Sequence, residues 1–129
     1  MDRLAARYLD EMLASRTLTP PGYGDHGRRL LSEDVSSALG PDGDNYRYTG
    51  VVAAYGIGLN NAIDVAIGTR ANGPALFEPA LEIVGIASAT IPEGEPWLAP
   101  PPGGFGADVE LAGHTLVVIV TAGKFRDGS

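Results

Sequence analysis

Thr115-Leu116-Val117-Val118-Ile119-Val120-Thr121-Ala122 carries no charge and is filled with β-branched and aliphatic residues. Successive side chains of a strand point to opposite faces, so a strand that is apolar at both alternations is buried on both. This segment is therefore predicted to be the central strand of the sheet. Just before it, Ala107 to Leu111 reads as a second strand, and Ala112-Gly113 as the turn of a hairpin joining it to His114–Ala122. In that register Val109, Leu111, Leu116, Val118 and Val120 share one face. Asp108, Glu110, Thr115, Val117, Ile119 and Thr121 share the other.

Working back along the chain, Leu81 to Ile91 reads as a strand ended by Pro92, and residues 92–106 as a long Pro- and Gly-rich loop holding Trp97 and Phe105. Tyr46, Tyr48 and Thr49 lead into a further strand through Ile57. The segment 59–70 is open to two readings. Ile63, Val65 and Ile67 alternate with Asp64, Ala66 and Gly68 after a turn at Asn60-Asn61, which gives a hairpin with Gly56 opposite Val65 and Ala54 opposite Ile67. Leu59, Ile63, Ala66 and Ile67 also fall at helical spacing. The hairpin is the preferred reading, because Gly58 and Gly68 bound a segment rich in β-branched residues.

Ahead of the strands, Leu4, Ala5, Tyr8, Leu9, Met12 and Leu13 make one broad apolar face of a helix over residues 2–16, with Arg7 placed to pair with Glu11 at i,i+4. Thr17 to Gly22 cannot continue it. Leu30, Leu31, Val35, Ala38 and Leu39 mark a second helix within 26–39, closed by Gly40-Pro41. Its regular part is predicted to begin near Ser32, because Arg28 and Arg29 sit poorly in a first turn. The expected architecture is α+β: N-terminal helices (1–40) packed on a mainly antiparallel sheet of about five strands (46–122), in one domain of 129 residues.

Composition narrows the functions. There is no cysteine, so disulfides, thiolate zinc sites and thiol catalysis are excluded. Net charge is −7, and no basic residue stands between Arg70 and Lys124 while six acids do. Such a surface repels phosphate backbones, so nucleic-acid binding is not expected. The N-terminus lacks the apolar core of a secretory signal and the longest strongly apolar run is too short for a bilayer, so a cytoplasmic protein, or a particle component assembled in the cytoplasm, is expected, with no membrane partner.

Motifs are scarce. Gly56-Ile57-Gly58-Leu59-Asn60-Asn61 lacks the third glycine of a dinucleotide loop, no Gly-x-Ser-x-Gly occurs, and the only lysine, Lys124, stands in no phosphate loop. Asp42-Gly43-Asp44-Asn45 starts like a calcium loop but lacks its later ligands. Asp25-His26 with Glu33 and Asp34 offers ligand types without a metal spacing. No cofactor and no metal are expected. Candidate catalytic groups are Asp64, the lone carboxylate of its segment, the pair Asp108 and Glu110, and the two histidines His26 and His114. Candidate interface anchors are Trp97, Phe105 and Tyr23, aromatics in Pro- and Gly-stiffened loops.

Two functions follow as expectations. The first, and the favoured one, is a non-enzymatic assembly subunit that forms homo- or hetero-oligomers through loops and termini, as in a shell, tube or phage-type particle. The alternative is a small enzyme or ligand-binding domain of isomerase, hydratase or lyase type, pairing a carboxylate with a histidine.

Overall fold

The computed structural model describes residues 1–20, 24–40, 46–68, 81–94, 97–101 and 106–124. Its elements are α1 (Asp2–Ser15), α2 (Gly24–Leu39), β1 (Tyr46–Gly56), α3 (Leu59–Gly68), β2 (Leu81–Thr90), β3 (Leu98–Ala99), β4 (Val109–Glu110) and β5 (Thr115–Lys124). β5 is central, as its two apolar faces require. It pairs antiparallel with β1 on one side and β2 on the other, with Val52 and Ile86 both opposite Ile119. The five strands thus form an α+β fold with N-terminal helices on an antiparallel sheet, but they divide into a three-stranded sheet and a separate two-stranded ribbon of β3 and β4.

The first face of the sheet carries Val51, Tyr55, Leu116, Val118, Val120 and Ala122. Onto it α1 brings Leu4, Ala5, Tyr8, Leu9 and Met12, the face its periodicity marks, and α2 brings Leu31 and Val35. α1 lies across β2 and β5, and α2 against β1. Gly85 is what lets the chain start so close: a Cβ there would collide with the backbone of Met1. Asp2 Oδ1 then accepts the outward N–H of Ile86 at 3.0 Å, capping part of the edge that β2 turns away from β5. α1 stops as predicted, with Arg16 in the left-handed region at φ 51° and its N–H bonded to Met12 O. α2 ends at Gly40, φ 68°. It begins at Gly24 rather than near Ser32. The earlier start puts Asp25 in the first turn and moves Arg28 and Arg29 beyond it, which removes the dipole objection.

Two further expectations are corrected. Residues 59–68 form helix α3, not a hairpin arm. β1 gives its edge to β5, so Gly56 faces Thr115 and Ala54 faces Val117 instead of Val65 and Ile67. The helix start is fixed locally: Gly58 takes φ 86°, Ala62 N–H bonds Gly58 O at 3.1 Å, and Asn61 Oδ1 accepts the Ile57 N–H at 2.8 Å. Small residues four apart, Ala62 and Ala66, are fully buried against Val52, Val117 and Ile119, which gives the second face of the sheet its cover. The hairpin about Ala112-Gly113 is the second correction. The turn exists, with Gly113 at φ 81° and His114 N–H on Leu111 O at 2.9 Å. However, the strand before it pairs with β3, because β2 occupies the edge of β5 that it would need. The proposed face-sharing of Asp108 and Glu110 with Thr115 and Thr121 falls with it.

Candidate functional site

The loop after β2 returns as β3 and is pinned to β4. Leu111 N–H bonds Trp97 O at 2.9 Å, and Glu110 Oε1 accepts the N–H groups of Trp97 (3.2 Å) and Ala112 (3.3 Å). Trp97 is half-buried with its side chain packed on the main core. This ribbon meets the C-terminal end of α1 and the end of β2 around a cavity of about 100 Å³ lined by Leu13, Arg16, Ile91, Pro92, Trp97 and Glu110.

A second cluster lies where β1 and β5 meet the ribbon. Tyr55 donates its hydroxyl to Pro100 O, and the His114 ring stands edge-on to it, centroids 5.9 Å apart at 78°. Burial, and secondarily the negative charge of Asp108, pushes the Tyr55 phenol up. So the fold brings two candidates, His114 and Asp108, to one tyrosine. Asp64 is not among them: it is exposed on α3, on the opposite side of the sheet from His114. Glu110 is spent on backbone N–H groups near Trp97. Tyr23 and Phe105 lie outside the described residues, and His26 is placed only by its position in α2. Among the described residues no three His, Asp or Glu side chains converge as a metal site, and no helix is long and apolar enough to cross a membrane.

Sequence reasoning missed one polar cluster. Arg7, expected to pair with Glu11, reaches Asp34 on α2 instead, Nη2 to Oδ2 at 2.7 Å, and the same oxygen accepts the Tyr8 hydroxyl at 2.6 Å. The guanidinium also lies 5.5 Å from the Tyr8 ring centroid. Burial, then the bond to Asp34, pushes the Tyr8 phenol far above its ordinary value. A phenol raised in the folded state contributes stability that is whole below the unfolded value of about 10 and is lost as pH rises above it. Tyr55 acts with the same sign. The urea midpoint of the protein is expected to be flat from neutral pH to about pH 10 and to fall beyond it. Tyr8→Phe should be less stable at neutral pH by about 1–2 kcal/mol and lose midpoint less steeply in alkali. An equally steep alkaline fall in Tyr8→Phe would show that another group drives it.

No protein-family model, curated protein or solved structure matches the chain.

Proposed function

We propose that this protein is an assembly subunit that associates with copies of itself, as in a shell, tube or particle, rather than an enzyme. One observation carries the reading. Val84 and Ile86, two residues apart on β2, are 56% and 40% exposed on the sheet face that α3 covers over β1 and β5. Their neighbours on that face of the strand, Ser88 and Thr90, are exposed and uncharged, and no charge occurs from Val84 to Pro92. Edge strands of monomers are ordinarily blunted by charge; here the Asp2 carboxylate meets the strand only at the Ile86 N–H, and from Val84 to Thr90 the strand itself puts no charged side chain on this face. Copies with net charge −7 repel one another, so a neutral apolar strip is where two of them approach at least cost. The small-enzyme alternative draws less support, since Asp64 is solvent-exposed and the Tyr55 hydroxyl is taken by a carbonyl.

Light scattering tests this. The wild-type protein is expected at a multiple of 13.4 kDa, and Val84→Lys with Ile86→Lys at 13.4 kDa with unchanged circular dichroism. A wild-type monomer at about millimolar concentration, where even a weak contact of roughly 4 kcal/mol would register, overturns the proposal.

A further inference from the structure

Among the described residues β2 has a strand, β5, on one side only. Two bonds fix how its backbone alternates. Ile91 N–H bonds His114 O, on the β5 side, whereas Ile86 N–H points away from β5 to Asp2. Even-numbered residues of β2 therefore turn their N–H and C=O groups outward. Those of Ser88 and Thr90 meet no partner among the described residues, and both residues are exposed. Met1 lies against Gly85 and Asp2 fills the edge at Ile86, so a strand laid on this edge finds it open only beyond Ile86.

We infer that two copies join edge to edge through Ser88–Thr90, antiparallel about a two-fold axis at Ala89, so that Ser88 of each copy faces Thr90 of the other and the two three-stranded sheets become one. The inference rests on the self-association reading and names its geometry. Each Ser88–Thr90 pair exchanges both N–H···O bonds. The next outward position sets Ile86 of one copy against Pro92 of the other. Ile86 N–H is already held by Asp2, and Pro92 has no N–H to leave unmatched. A slide that set Ser88 opposite itself would put Thr90 against Ile86 and displace both Asp2 carboxylates. Asp2 and Pro92 thus specify a register that a neutral edge alone leaves open. The same register lays the exposed Ile86 side chain across from the exposed Pro92 ring, covering part of the apolar strip. With no charge from Val84 to Pro92, the pairing segments of two copies of net charge −7 meet without opposed like charges.

The chain has no cysteine, so introduced thiols report this contact alone. Ser88→Cys and Thr90→Cys proteins are mixed to equilibrium under reducing conditions and then oxidised. A hydrogen-bonded pair brings Cα atoms to about 5.5 Å, a separation that a disulfide spans without strain. The mixture is expected to give at least about tenfold more disulfide-linked dimer than either protein oxidised alone, or than Val84→Cys. Ser88→Pro removes an outward N–H and none of the bonds to β5. It is expected to hold the protein at 13.4 kDa with unchanged circular dichroism. Should Ser88→Pro misfold, the thiol pairs decide alone. A wild-type monomer overturns self-association and edge pairing with it. A wild-type oligomer in which the mixture links no better than the single variants, or which a folded Ser88→Pro leaves intact, overturns edge pairing and leaves self-association standing.

Discussion

Gly56→Val is expected to lift α3 off the sheet, at a cost of about 3 kcal/mol. By strand propensity alone this substitution would be harmless or helpful, since Gly56 closes a strand that valine suits. The tertiary structure reverses the sign. A Cβ at Gly56 would stand 2.5 Å from Asn61 Oδ1 and 2.6 Å from the backbone nitrogen of Ala62. Asn61 can swing away only by losing its bond to the Ile57 N–H, and Ala62 cannot yield without moving the helix. Urea unfolding gives the stability, and hydrogen exchange should show the amides of residues 59–68 losing protection first. Gly94→Ala is the control: nothing lies within 4 Å of its added carbon, so its effect should stay within about 0.5 kcal/mol. A neutral Gly56→Val would mean that α3 does not sit on β1 as described.

Leu116→Ala should cost about 3–5 kcal/mol, a large share of the roughly 5–15 kcal/mol that holds a domain of this size together. Leu116 is fully buried on the central strand, with Tyr55 and Ala89 opposite it on its two neighbours. The sheet cannot close over the vacated volume, because β5 is clamped on both sides, so the loss includes the cavity as well as the transfer of the missing carbons. Val84→Ala, on the exposed part of β2, should cost less than about 1 kcal/mol. Comparable losses at the two positions would remove the distinction between a covered first face and an open end of the second.

The Leu116 to Val120 run shows how far pattern alone reaches. Apolarity at both alternations, in the densest run of β-branched and aliphatic residues of the chain, placed that strand in the middle. α1 was as clear, because its stripe of six residues fits only the helical period. Residues 59–68 were not. Ile63, Val65 and Ile67 satisfy an alternating pattern, while Ala62 and Ala66, which carry the packing, look like neutral spacers. Their smallness matters only once a sheet face made by Val52, Val117 and Ile119 exists to be approached. The hairpin around Ala112-Gly113 failed similarly: its turn formed, but the partner of β5 was settled by β2.

The candidate site divides along the same line. Trp97 drew attention through the prolines around it, but its role as a cavity wall depends on α1 ending beside it. Arg16 and Glu110 lie 94 residues apart and carry no motif that joins them. Asp34 gives no sign in sequence that it will take both Arg7 and Tyr8.

By itself the sequence determined the elements whose signal is internal to them: the greasy face of α1, the closure of α2 at Gly40, the two-sided β5, and the exclusion of cysteine chemistry. Tertiary structure decided which edge each strand received, that 59–68 coils rather than extends, and which charged side chains meet. The reason is physical. Periodicity records how one segment meets an apolar surface, whereas pairing, close approach and ion contacts depend on what another segment has already occupied.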